Sequence, residues 1–198
     1  MKLSISEEAV DVLWREARTQ NEWRPDVEVS EDQLRAIHEL MKWGPTSGNG
    51  WPLRVLYVRS AAEKERLAET AMDSNAAKIR QAPVTAVLAH DLRFFDRMDV
   101  LFPHDPDLAE FFADNEEIAR TTAFRNGTIQ VGYFILAARA VGLDCGPMSG
   151  FSNDAVDELY FAGTSWRSNV LCSLGKGDPE GLFPRHPRPG FDEVSRIV

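Results

Sequence analysis

The stretch Gly142 to Phe151 reads G-L-D-C-G-P-M-S-G-F. A long apolar segment runs into it from about Glu116. There Ile118, Ile129, Tyr133, Leu136 and Val141 fall at sums of three- and four-residue steps, which predicts a long helix. Gly142 is the expected stop, because glycine takes the left-handed conformation that a helix C-terminus needs. Gly146, Pro147 and Gly150 then make a loop that is stiff at the proline and bare at the glycines. A flat ligand can approach such a backbone closely. A plain connection between helices is the competing reading, since glycine and proline punctuate most loops.

Outward from this stretch the chain alternates helices and short strands. Ser4 with Glu7 predicts a capped first helix bearing Ile5, Ala9, Leu13 and Ala17 on one face. It runs out in the polar patch Arg18-Thr19-Gln20-Asn21. Ser30 with Gln33 caps a second helix with a Leu34, Ile37, His38, Met41 stripe, and Gly44-Pro45 ends it. His38 reads as a helix residue rather than a metal ligand, since position 42 is Lys. Thr46-Ser47-Gly48-Asn49-Gly50 is dense in small hydrogen-bonding groups, suited to a turn or to a polar heterocycle. Val55–Val58, Val84–Ala89 and Asn169–Leu174 read as strands. Ser60 with Glu63 caps a helix to about Thr70. Ser74-Asn75 starts another that sets Asn75 and Lys78 on one face. Ser152 or Asn153 caps a helix to about Tyr160, and Phe191–Val198 is expected as a final strand. Residues 92–117 hold Phe94, Phe95, Phe102, Phe111 and Phe112 among Pro and Asp. They make either a satellite core or a lid walling a pocket.

The composition restricts the function. Lys plus Arg is 22 against 31 Asp plus Glu, a net charge of −9, which argues against general nucleic-acid binding. At 198 residues the chain is expected to be one domain, 1–198, with a real core. Cys145 and Cys172 are too far apart in sequence for a C-x-x-C site, and no metal-ligand set appears. Two thiols suit a reducing cytoplasm. The N-terminus lacks an apolar signal core, and no run approaches the ~20 apolar residues of a membrane span. Gly44 to Gly48 imitates a nucleophile elbow in the wrong strand–helix order. Gly175-Lys-Gly177 misses both the dinucleotide and the Walker patterns. Asn126-Gly-Thr128 fits a glycosylation sequon but lies inside the predicted helix. Arg18, Lys78 and Arg188 stand out of the acidic chain as possible anion ligands, with solvated surface charge as the plainer reading.

Six stretches carry a resemblance: A-R-T-Q-N-E-W (17–23), M-K-W-G-P-T-S-G-N (41–49), N-A-A-K (75–78), T-A-F-R-N (122–126), 142–151, and P-R-H-P-R-P-G-F-D-E (184–193). Together they resemble the FMN-dependent nitroreductase family, and more narrowly its malonic semialdehyde reductase branch, linked to pyrimidine breakdown. The resemblance implies an α+β three-layer sandwich, a mixed sheet flanked by helices, built as an intertwined homodimer with FMN at the interface. By that resemblance Arg18, Thr19, Gln20, His186 and Arg188 surround the FMN phosphate. Many relatives carry Ser and Lys where Gln20 and His186 stand. Asn75 and Lys78 face the pyrimidine edge of the flavin. Pro45, Thr46, Ser47 and Asn49 come from the other subunit. Pro147, Met148, Ser149 and Gly150 lie beneath N5, with the Ser149 N–H aimed at it.

Lys78 and Ser149 are then the expected catalytic groups, because a fixed ammonium and a backbone donor stabilise the reduced ring. The expected activity is hydride transfer from NADH or NADPH through FMN to 3-oxopropanoate, by double displacement at one shared site. Arg93, Arg97, Arg120 and Arg125 are candidates to hold an acid-aldehyde. The competing readings are a broad nitroaromatic or quinone reductase, a flavin carrier or sensor without turnover, and an acidic interaction module with no cofactor.

Overall fold

A computed structural model describes residues 3–198. Its helices are α1 (Glu7–Val10), α2 (Glu31–Met41), α3 (Ala61–Ala68), α4 (Asp73–Gln81), α5 (Met98–Leu101), α6 (Asp107–Asp114), α7 (Glu116–Ala140), α8 (Asn153–Phe161) and α9 (Phe191–Val194). Its strands are β1 (Leu53–Val58), β2 (Val84–Asp91), β3 (Asp144–Met148) and β4 (Trp166–Gly175). The sheet order is β1-β2-β4-β3. No described helix is long and apolar enough to cross a membrane.

Side-chain alternation along the strands separates three layers. Val84, Ala86 and Leu88 of β2 join Cys172 and Leu174 of β4 beneath α2 and α7. Val87 and Ala89, with Leu171, turn to the opposite face beneath α3, α4 and α8. β2 is buried along its whole length, as a central strand covered on both faces must be. The thiols of Cys145 and Cys172 are free and fully buried. Hydrogen bonding to Cys145, together with burial, pushes the Cys172 thiol up, so it is held neutral.

Several sequence expectations need correction. All pairings within the sheet are antiparallel, rather than mixed; among the described residues the one parallel pairing is the isolated bridge Thr19↔Cys145. The 142–151 stretch is a strand over Asp144–Met148, not a loop. Pro147 is tolerated there because β3 is an edge strand. The first helix is capped by Ser6, whose Oγ accepts from Ala9 N, not by Ser4, and its last turn is a π-helix over Asp11–Arg15. α4 begins at Asp73, with Met72 rather than Ser74 at its N-cap. The tail forms the short helix α9 in place of a strand.

Other local signals hold. Ser30 and Gln33 form a full capping box, while Ser60 and Ser152 cap α3 and α8. Gly142 ends α7 at φ +82°. Its N–H reaches Arg139 O at 2.9 Å and Leu143 N reaches Ala138 O at 2.9 Å, the paired bonds of a Schellman cap. Asn126 is buried and bonds both Ser47 N and Thr122 O, so the sequon asparagine is a structural residue.

α7 is apolar on two sides. The face turned to the sheet carries Val131, Phe134, Ala137 and Ala138. Ile118, Ile129 and Tyr133 of the sequence stripe lie on the other side, 45%, 47% and 38% exposed. The 92–117 segment builds a satellite core of Phe94, Phe95, Met98 and Phe112 against Ala119 and Ala123 of α7. It also packs on the 46–50 loop: Asn49 Nδ2 donates to Leu101 O at 2.9 Å.

Candidate active site

Three groups of residues are built by different parts of the fold. The first is a cationic cleft of about 520 Å³. Gln20 N donates to Cys145 O at 3.0 Å, and the Thr19↔Cys145 bridge lays residues 18–20 along β3. Gly146 permits this approach, because a Cβ there would sit 2.9 Å from Gln20 O. The C-terminal segment closes the other wall. Arg18 donates to Phe183 O and Arg185 donates to Ala17 O, so each arginine clasps the opposite segment.

Arg18, Thr19, His186 and Arg188 of the predicted set line this cleft, joined by Asn21, Arg139 and Arg185. None of its four arginines is ion-paired with a described carboxylate. Such a set suits phosphate, which accepts bidentate bonds from guanidinium forks. Gln20 does not line the cleft. It is buried and its side chain packs on Gly177. Arg139 and Arg185 escaped the sequence reading. Gly142 marks the end of the helix that carries Arg139, but nothing in the pattern ties that end to the cleft, although Arg185 lies in the conspicuous P-R-H-P-R run.

The second group lies at the far end of β3. α4 sets Asn75 and Lys78 one turn apart. Asn75 Nδ2 donates to Gly150 O at 3.1 Å, and Met72 N donates to the same carbonyl at 3.0 Å. A Cβ at Gly150 would meet Asn75 Nδ2 at 2.7 Å, so only glycine leaves this corner undisturbed. Pro147 and Met148 end the strand and Ser149 is exposed beyond it. The Ser149 N–H has no acceptor among the described residues. Lys78 is half-buried and has no described ion-pair or hydrogen-bond partner for its ammonium. The Ser149 N–H and, one turn along α4 from the Asn75 that bonds Gly150, the Lys78 cation are both without a described partner, which suits a ligand that becomes anionic.

The third group is the loop Pro45 to Asn49. Ser47 N donates to Asn126 Oδ1 at 2.8 Å and Trp51 N to Thr46 Oγ1 at 3.2 Å. Gly48 and Asn49 take positive φ, 54° and 48°. Pro45, Ser47 and Asn49 are exposed. This loop leads into β1, at the opposite edge of the sheet from β3. Three strand spacings make about 14 Å across the sheet. Leu53 also stands three residues along from the level of Met148, about 10 Å more. Within one chain, the first two groups come together along β3 and the third does not join them.

The profile of the Nitroreductase family matches residues 15–176. The chain belongs to the nitroreductase family. A relative from Cupriavidus pinatubonensis, provisionally named NADH dehydrogenase/NAD(P)H nitroreductase, is 48% identical over 96% of this chain and 98% of its own. HadB of Ralstonia pickettii, under the same provisional name, is 52% identical over 94% and 95%. Among solved structures, a nitroreductase-type protein from Exiguobacterium sibiricum in complex with FMN superposes at TM-score 0.84. It covers 100% of both chains at 18% identity. The Bacillus subtilis nitroreductase-type protein ydfN superposes at 0.87 and 20% identity, over 98% of this chain and all of its own. At these identities the structures speak for the nitroreductase fold, which all three layers of the chain follow.

Proposed function

We propose that this nitroreductase-family chain is an NAD(P)H-dependent FMN oxidoreductase, working as a homodimer. The single observation that carries the reading is the alignment of the first two groups along one strand. The cationic cleft opens where Thr19 meets Cys145, and the Ser149 N–H stands four residues further on, about 13 Å away. A phosphate at one end and a flat ring at the other, joined by a ribityl chain, matches that layout. The provisional names of the curated relatives and the FMN complex of the Exiguobacterium protein support it.

Bound FMN would supply a two-electron carrier that takes hydride at N5 from a nicotinamide and passes it on. The chain supplies the surroundings. Arg18, Arg188 and their neighbours hold the phosphate. Asn75, fixed by the Gly150 carbonyl, orients the pyrimidine edge. Lys78 places a positive charge where reduction concentrates negative charge, with no reorganisation at that moment. The Ser149 N–H donates at the reacting edge. The Pro45–Asn49 loop lies too far across the sheet to serve the same ring in one chain. A second copy supplies it, and the exposed Ile118, Ile129 and Tyr133 stripe of α7 offers apolar surface for that contact.

For the substrate we favour 3-oxopropanoate, reduced to 3-hydroxypropanoate with NAD(P)H and one proton consumed and NAD(P)+ released. Of the four candidate arginines, Arg93 and Arg120 are paired with Asp96 and Glu116. Arg97 opens on a groove between α2 and β1. Arg125 is exposed, unpaired among the described residues, and adjacent to Asn126, which holds the Ser47 loop. On that ground Arg125 is our candidate to meet a substrate carboxylate. The competing substrate class is nitroaromatics and quinones, and the word nitroreductase in the names of the relatives favours its nitro members. Steady-state turnover separates the two. Arg125→Gln should raise KM for 3-oxopropanoate about tenfold or more, the loss of a charge-assisted bond, and leave a nitrofuran unaffected. Equal effects on both substrates, or turnover of the nitrofuran alone, would favour the broad reductase.

A further inference from the structure

We propose that Arg139 is the fixed member of the phosphate grip and sets the preference for a phosphorylated flavin over an unphosphorylated one. This rests on the FMN reading above and deepens it.

Of the cations that line the cleft, Arg139 alone is carried by a helix. Arg18, Arg185 and Arg188 stand on segments without regular structure, and their guanidinium groups are engaged with carbonyls. Arg18 holds Phe183 O and Arg185 holds Ala17 O, while Arg188 bonds His186 O and Pro187 O at 3.0 and 3.1 Å. Each keeps further N–H donors for a phosphate, but its position rests on an irregular segment that it helps to hold rather than on a helix. Gln20, which the family resemblance set beside the phosphate, is turned onto Gly177 and brings no charge.

Arg139 is half-buried in the last turn of α7. A helix C-terminus ordinarily repels an anion. Here three of the last four carbonyls are already occupied: Val141 N donates to Ala137 O, Leu143 N to Ala138 O and Gly142 N to Arg139 O. The guanidinium spends one donation from Nη1, on Leu13 O at 2.9 Å. A guanidinium carries five N–H donors, so a fork remains for the cleft. The smaller cleft on its other side carries Glu16, Asp144 and Lys176. Neither of those carboxylates ion-pairs with Arg139, and Asp144 Oδ2 instead accepts from Gly177 N. The Leu13 bond also gives a plainer role, a strut for the N-terminal segment. That role predicts equal losses for any flavin, whereas a phosphate role does not.

The test is titration of the purified full chain, freed of flavin, with FMN and separately with riboflavin, which lacks the phosphate. Arg139→Gln should weaken FMN binding on the order of 10- to 100-fold, as expected for a charge-assisted bond, and leave riboflavin within about twofold. Arg139→Lys, which keeps the charge without the fork, should recover part of the FMN affinity. If Arg139→Gln does not fold, Arg139→Lys carries the comparison, with a smaller loss confined to FMN. Parallel losses for both flavins, or no loss for FMN, would overturn the inference while leaving the FMN reading intact. A wild-type chain that binds neither flavin would sink the FMN reading itself.

Discussion

Gly150→Ala would set a Cβ 2.7 Å from Asn75 Nδ2 and 2.9 Å from Met72 Sδ. Both contacts are the ends of flexible side chains, and Met72 is 65% exposed, so the backbone need not move. Met72 swings into solvent and Asn75 leaves the Gly150 carbonyl. A neutral hydrogen bond of 3.1 Å is worth about 1 kcal/mol. Losing it shifts Tm by only about 2–4 °C in a domain of this size. The displaced amide no longer faces the flavin edge, so FMN should bind about fivefold more weakly, the equivalent of that 1 kcal/mol. Asn75→Ala should show a similar loss. The double variant should lose scarcely more than either single one, because both changes remove one interaction. The assay is quenching of flavin fluorescence on titration, alongside thermal melting. Unchanged FMN affinity in Gly150→Ala, or losses that simply add in the double variant, would refute the role given to this corner.

Two further outcomes are expected. Lys78→Ala should slow anaerobic flavin reduction by NADH, in stopped flow, by a larger factor than it weakens FMN binding; an unchanged reduction rate would remove its electrostatic role. His90 is buried against Gly127 and Phe124, and burial lowers its pKa from 6.5. Below about pH 6.5 the unfolded chain therefore binds a proton that the folded chain refuses, and stability falls as pH drops towards the folded value. Melting curves between pH 7.5 and 5.5 should show this loss, reduced in His90→Asn; identical slopes would contradict it.

Much of the architecture was legible because its signals are local. Gly142 stops α7 through bonds made within five residues, and Ser30 with Gln33 caps α2 within one turn. The failures came from partners distant in sequence. The 144–148 segment, with its glycine and proline, reads as a loop until β4 lies beside it, some 25 residues later. The α7 stripe was visible, but periodicity cannot say which of two apolar sides meets the sheet. The tail's apolar residues suggest a strand, yet no described strand pairs with it and α9 forms instead. At the site, the resemblance named residues by position, while the fold decided which share a cleft. Arg139 entered and Gln20 left for that reason: one ends a helix at the cleft mouth, and the other is drawn inward by Gly177.

The measurement closest to the central claim is an anaerobic absorbance titration of the FMN-loaded protein with NADH and with NADPH. The account predicts that bound flavin loses its yellow absorbance band at about one equivalent of at least one nicotinamide, and regains it when the oxidised substrate is added. A chain that takes up no FMN, or one whose bound FMN stays oxidised with both nicotinamides in excess, would contradict it.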